Sequence, residues 1–364
     1  MKDDFGVRLI RWYADHKRDL PWRKSGSAYH VWLSEVILQQ TRVAQGLDYY
    51  FRFIEKYPDI HSLAEAGEDE VFKLWQGLGY YNRAANLMHA ARTIVDEYDG
   101  EFPATSEELQ KIKGIGPYTA AAIASIVHGE AVPVLDGNVF RVLSRVFGMK
   151  TPIDTANGRS SFRELARELM AHFGPGEFNQ ALMEFGALHC KPKNPDCSTC
   201  IFADRCMANQ HKTVDQLPVK KGKPKQKNRF FYYFFIEVRD DVRSQFYLRR
   251  RTAKDIWKNL YDFPADEFDE ALPPEDLLKK SATLQAIGQD HFSIQYISPV
   301  YIHQLTHQRI HATFLRLIVN KKINHPFFNS LPLVTQREIV EYPVPRLIDR
   351  YLREQKIIGT DDRT

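Results

Sequence analysis

The chain carries four cysteines, and all of them fall in one window: Cys190, Cys197, Cys200 and Cys206, spaced C-x6-C-x2-C-x5-C. Four sulphurs so grouped suggest one shared job. The segment must then curl on itself, and its flanks must hold the curl in place. A pair of disulfides would use the same residues. Disulfides persist in oxidising compartments, however, and the opening Met1-Lys2-Asp3-Asp4-Phe5 lacks the apolar run of a secretory signal. A thiolate-bound metal is the stronger reading. Structural zinc usually takes two short Cys-Cys knuckles set well apart. Here there is one knuckle, Cys197-Ser198-Thr199-Cys200, with a single cysteine on either side. Uneven loops suit a cubane iron–sulfur cluster, whose four corners each accept one thiolate. Both metals take four thiolates, so spacing leaves cluster and zinc open.

The 364 residues leave room for two domains, each with its own core. A formal net charge of +4 allows a polyanionic partner without requiring one. No uncharged apolar stretch is long enough to span a bilayer. The expectation is a cytoplasmic protein, nucleoid-associated if bacterial, with no membrane partner.

Up to residue 209 the periodicity is helical: Phe5, Leu9, Ile10 and Tyr13, then Val31, Trp32, Val36, Ile37 and Leu38, then a run from Asn82 to Tyr98. Residues 210–229 read as a basic linker. From Lys212 to Arg229 it sets Lys220, Lys221, Lys223, Lys225 and Lys227 against the single acid Asp215, with no aromatic residue. Such a segment is expected to be a mobile tether, with phosphate contact as its functional alternative. From residue 230 the period is that of strands. Phe230–Val238 is expected to pair with Phe246–Arg250 across Arg239–Val242, and Ile297–Leu305 and Ala312–Val319 follow. Helical patterns lie near Pro274–Leu284 and Pro345–Arg353. The expected architecture is multidomain: an all-α domain over 1–209 and a smaller α+β domain over 230–364.

The chemistry-bearing motifs lie in the first half. Leu109 to Ala120 reads helix, tight turn, helix, within about 105–130. Gly114 and Gly116 allow positive φ and close backbone approach. Pro117 suits the first turn of the following helix, whose free amides can hold an anion. This is the helix–hairpin–helix pattern, which grips a DNA phosphate without reading sequence. Asp136 closes the run Val132-Pro133-Val134-Leu135 where the next helix begins. Capping would account for it, and a capping carboxylate is expected to stay ionised, able to face a developing cation. On a helix, Trp32, Glu35, Gln39 and Arg42 share one face. That face is either a solvated stripe or the home of a desolvated, proton-donating Glu35.

Taken together, the hairpin, the Val132–Arg141 segment and the cysteine window resemble the helix–hairpin–helix DNA glycosylases with a [4Fe–4S] cluster. Leu20-Pro21-Trp22-Arg23, Ser34–Thr41 and Trp75–Ala84 narrow the resemblance to the adenine DNA glycosylase family, across the first 210 residues and more loosely beyond. The resemblance implies a monofunctional base-excision repair glycosylase. Its partner is double-stranded DNA carrying adenine opposite 8-oxoguanine or guanine, and it works as a monomer with Cys190, Cys197, Cys200 and Cys206 holding a [4Fe–4S] cluster. The base is flipped out of the helix. Glu35 matches the general acid, Asp136 the group that stabilises or captures the oxocarbenium ion, and Tyr118 and Asn138 their supports. Trp22, Arg23, Leu38 and Gln180 match the adenine pocket, and Gln40, Leu78 and Tyr80 match the wedge beside 8-oxoguanine. Bifunctional relatives of the endonuclease III type carry a Schiff-base lysine where this chain has Tyr118.

The second half resembles the Nudix-like domain by which that family senses 8-oxoguanine. Trp257–Pro264 is a variant of its Gly-Leu-Trp-Glu-Phe-Pro motif, and the magnesium-binding box is missing, so hydrolase activity is not expected. The sensing loop, usually Phe-Ser-His, is Leu305-Thr306-His307 here, with Thr306 and His307 as the lesion contacts. Two further readings compete: a pyrimidine-lesion glycosylase, and a non-catalytic DNA-binding or redox iron–sulfur protein. Tyr118 and the second domain disfavour the first; the contexts of Glu35 and Asp136 disfavour the second. Lys191, Lys193 and Arg205, around the cysteines, are expected to reach phosphates.

Overall fold

The computed structural model describes residues 4–222, 226–239 and 244–359. Lys223, Pro224 and Lys225 of the linker, and Asp240, Asp241 and Val242 of the expected hairpin turn, lie outside the described residues, as do Met1, Lys2 and Asp3. Two compact units emerge: Met1–Ala66 with Asn86–Lys223, and Gly67–Ala85 with Pro224–Thr364.

The described elements of the first unit are helical. Its helices begin where local chemistry allows. Thr105 caps Ser106–Leu109 through the Glu108 amide, and Asp136 caps Gly137–Phe147 through the Val139 amide. Thr155 caps Ala156–Met170, while Pro117 and Pro175 occupy the first turns of Pro117–Val127 and Pro175–Leu188. One core joins Leu9, Val142, Leu143, Phe162, Phe178 and Phe185 with Cys190, Cys206 and Leu217. Burying each large apolar side chain stabilises by about 1.5–3 kcal/mol.

Two expectations are corrected here. The helix bearing Glu35 ends at Leu38; Gln39 is its C-cap, Gln40 turns to φ +58, and Arg42 precedes the next helix. The single face from Trp32 to Arg42 therefore does not exist, and Glu35 is buried rather than on a solvated stripe. The described part of the linker is also ordered. Leu217 enters the core, the Val219 carbonyl accepts from the Ile153 amide at 3.0 Å, and Asp154 accepts from the Lys221 amide at 2.9 Å. One apolar anchor and these long-range bonds outweigh a composition that on its own predicts a tether.

The second unit is built on a seven-stranded mixed sheet. Lys227–Arg239 pairs in parallel with Gln308–Val319 from Lys227↔Gln308 to Val238↔Val319. As in other sheets with a parallel centre, both faces are covered. Phe234 and Ile236 pack with Leu277 and Leu284, and Phe235 packs against Phe263 and Tyr351. The expected hairpin forms through Ser244–Tyr247, with Glu237 opposite Phe246, whereas Arg249–Arg250 leaves it to pair with Tyr261–Asp262. The Ile297–Leu305 run divides into Ser293–Ile297 and Tyr301–Gln304 around Pro299, which has no amide to give a ladder. The helical pattern near Pro274–Leu284 breaks at Ser281, which ends one helix and caps the next.

Gly67–Ala85 joins this unit through side chains facing the C-terminal segment. The Lys73 ammonium donates to the Val340 carbonyl. Gln76 donates to Asp349 at 3.3 Å and the Tyr81 hydroxyl to the Val344 carbonyl at 3.4 Å.

Candidate active site and cysteine centre

Glu35 sits mid-helix in Ala28–Leu38 and is 9% exposed. Tyr118, in the first turn of Pro117–Val127, donates its hydroxyl to Glu35 Oε2 at 2.5 Å. Burial pushes the Glu35 carboxyl up to about 7, aided by the Asp136 carboxylate and opposed by the Tyr118 hydrogen bond and by Arg23. The Tyr118 phenol is driven well above its ordinary range by burial and by both carboxylates. Glu35 is thus a carboxylic acid able to carry a proton near neutrality.

Asp136 is held differently. Its Oδ1 accepts from the Val139 amide and its Oδ2 from Asn138 Nδ2, both at 2.7 Å. Burial raises its pKa, while these bonds and Arg141 hold it back. The net direction is upward from the ordinary carboxylate value, because burial outweighs the cap bonds, which themselves favour the charged form as expected. Arg141 secures the turn from behind, donating to Asn138 Oδ1 at 2.8 Å, the Gly186 carbonyl at 2.7 Å and the Cys190 carbonyl at 2.8 Å. The Pro175–Leu188 helix lies so close that a Cβ on Gly186 would meet Asn138 Cβ at 2.6 Å.

That helix supplies residues that the sequence reading missed. Asn179, buried, accepts from the Val134 amide and donates to the Ser125 hydroxyl and the Val132 carbonyl, fixing the approach to Asp136. Glu184, also buried, accepts from Arg18 at 2.7 Å and Arg23 at 2.9 Å. Burial would raise Glu184, but the bonds from Arg18 and Arg23 prevail and hold it at about 2. The available signal was a set of polar residues at core positions of a helix that also carries Gln180. Arg23 and Gln180 line one cleft with Tyr13 and Arg18. Trp22 is buried edge-on against Tyr50, and Leu38 is half-buried.

In the hairpin, Gly114 has φ +102 and faces Asn86 so closely that only glycine fits, whereas Gly116 has negative φ and open space where a Cβ would stand. Gln40 is exposed in the first unit. In the second, Leu78 is buried and Tyr80, at φ +49, is exposed. The Tyr80 hydroxyl shares a hydrogen bond with that of Thr306 at 3.0 Å, and His307 is exposed beside it.

The four cysteines are free of disulfides and line one cavity with Arg145 and His189. Asp196 orders the knuckle by accepting from the Ser198 and Thr199 hydroxyls at 2.6 and 2.8 Å. Arg145 donates to Cys190 Sγ at 3.5 Å and the Phe202 amide to Cys200 Sγ at 3.4 Å. Burial pushes the Cys200 thiol up to about 12, a cost that bound cations would offset. Among the described residues no three His, Cys, Asp or Glu side chains converge on a single ion. Four sulphurs round a shared cavity, with donors aimed at two of them, fit a multi-atom centre. Lys191 and Lys193 are exposed, while Arg205 is committed to Asp4 at 2.7 Å and Asp204 at 3.3 Å rather than free for phosphates. No helix among the described residues is long and apolar enough to cross a membrane.

Residues 33–168 match the HhH-GPD superfamily of base excision DNA repair proteins, and residues 233–354 match a NUDIX domain. Chain and fold thus define a helix–hairpin–helix glycosylase joined to a Nudix-like domain. A thermostable thymine-DNA glycosylase of known structure superposes at a TM-score of 0.54 and 26% identity, covering 58% of this chain and 97% of that one. The adenine DNA glycosylase of Buchnera aphidicola from Schizaphis graminum is 34% identical, over 90% of each chain. That of Schizosaccharomyces pombe is 32% identical over 89% of this chain and 84% of its own. The human adenine DNA glycosylase is 44% identical over 58% of this chain and 41% of its own. The chain belongs to the adenine DNA glycosylase family.

Proposed function

We propose that this protein removes adenine mispaired with 8-oxoguanine or guanine from duplex DNA. It hydrolyses the N-glycosidic bond without cutting the strand and acts as a monomer in the cytoplasm. The observation that carries the reading is Glu35, a buried carboxyl held near neutrality by burial and hydrogen-bonded by Tyr118. Adenine flipped from the stack leaves slowly until its ring is protonated. Glu35 gives that proton. The bond from sugar to base then breaks, its electron pair leaving with adenine. The oxocarbenium ion that remains faces Asp136, which stabilises or captures it until water adds its hydroxyl to the sugar and releases a proton. Asn138 and Arg141 keep Asp136 oriented. Arg23 and Gln180, in one cleft, suit recognition of an adenine edge, and the family resemblance adds Trp22 and Leu38 to that pocket. Gln40 in the first unit, and Leu78 and Tyr80 in the second, are each proposed as duplex-wedging residues on the family resemblance. The open space at Gly116 and the free amides after it suit a phosphate.

Cys190, Cys197, Cys200 and Cys206 would hold a [4Fe–4S] cluster, which when bound cross-links the cysteine loop and fixes its exposed lysines toward the DNA backbone. Thr306 and His307 would read 8-oxoguanine. The test is incubation with duplexes bearing adenine opposite 8-oxoguanine, adenine opposite guanine, and thymine glycol. Abasic sites in the first two without strand cleavage are expected; excision of thymine glycol alone would overturn the reading.

A further inference from the structure

His189 stands at the end of the Pro175–Leu188 helix, immediately before Cys190. Its ring stacks on Phe185, centroids 5.2 Å apart at 18°, and meets Trp12 edge-on at 6.3 Å. Those contacts fix the plane of the imidazole. The ring lines the cavity shared by the four cysteines, and its Nε2 is buried with no hydrogen-bond partner among the described residues. A buried ring nitrogen without a partner is disfavoured, and native structures leave few such groups unmatched. The cysteine sulphurs line the same cavity, and two of them already receive hydrogen bonds, from Arg145 and from the Phe202 amide.

We infer that His189 is a positioning residue for the cysteine-bound centre. Its ring N–H donates a hydrogen bond to a sulphur of that centre and raises the reduction potential. The inference rests on the cluster assignment above. A hydrogen bond to a thiolate or sulphide sulphur draws off electron density and so favours the electron-richer state.

Three variants of the whole protein test it. His189→Phe keeps the stacked ring and removes the donor, His189→Met is an apolar alternative of similar length, and His189→Gln keeps a donor. Iron and acid-labile sulphide are measured first in the anaerobically purified wild type. Their absence sinks the cluster assignment itself. With the cluster present, voltammetry should place the potential of His189→Phe or His189→Met more negative than wild type, with faster loss of visible absorbance in air, and His189→Gln between the two. An iron-loaded apolar variant with the wild-type potential overturns the inference and leaves the cluster assignment standing. If only His189→Gln retains iron, the need for a donor is supported. If none of the three does, the ring acts by packing and the inference fails.

Discussion

Glu35 is buried and Asp136 half-buried, and their partners differ in the way the two proposed roles require. Glu35 receives the Tyr118 hydroxyl, whereas Asp136 receives a helix amide and the Asn138 amide group. Glu35→Gln keeps shape and loses the proton. Excision should fall by about 10²–10⁴-fold or more while DNA binding persists, as single-turnover assays and a binding isotherm can check. Asp136→Asn should be nearly as damaging although it keeps most of the cap; normal turnover by a folded variant would reduce Asp136 to a capping residue. A general acid at about 7 must be protonated to act. The rate should therefore drop about tenfold per pH unit above that value, and fall again on the acid side once Asp136, whose pKa is itself raised, becomes protonated. The Tyr118 bond lowers Glu35, so Tyr118→Phe should move this alkaline limb to higher pH. A limb that stays in place would separate Tyr118 from Glu35 in function.

At the scale of elements, the Pro175–Leu188 helix organises the first unit. One turn carries Asn179 to the Val132–Val134 approach, the next carries Glu184 to Arg18 and Arg23, and Gly186 admits the Asp136 turn. Removing one charge from a buried ion group leaves the others unmatched. Glu184→Gln should therefore cost roughly 3–5 kcal/mol in denaturant unfolding. It should also weaken adenine excision more than duplex binding, because Arg23 loses its anchor. Gly186→Ala should reduce excision by displacing Asn138 from Asp136, with little change in helix content by circular dichroism. Either variant behaving like wild type would uncouple this helix from the site.

For the whole molecule, the informative cut lies after residue 222. A cut at 210 would strip Leu217 from the first core and Val214 from the cysteine cavity. Even the later cut removes the partners of Gly67–Ala85, namely Val340, Val344 and Asp349. The truncated protein should keep its cysteine centre but lose stability. It should also lose discrimination for 8-oxoguanine over guanine, by about 1–3 kcal/mol if one or two polar contacts carry it. Thr306→Ala should show a smaller loss alone, since Tyr80 and His307 stay in place. Binding to the two duplexes at two salt concentrations is the check. A common factor lost from both would make the second unit a salt-sensitive clamp.

The local features were legible in the sequence because their causes are local. The cysteine spacing, the Gly114–Pro117 turn, the Asp136 cap and the shift from helical to strand periodicity each depend on residues a few positions apart. The family motifs added candidate roles that no periodicity contains. What tertiary structure alone decided are facts of long-range packing. Burial raises Glu35, and Tyr118 meets it from 83 residues away. Glu184 meets Arg18 across 166 positions. Gly67–Ala85 belongs with the C-terminal unit, and a basic segment read as a tether is pinned by Leu217. Periodicity shows which face of an element is apolar. Which partner that face finds, and how much water it excludes there, is settled only when the elements pack, and the electrostatics of the site follow from that exclusion.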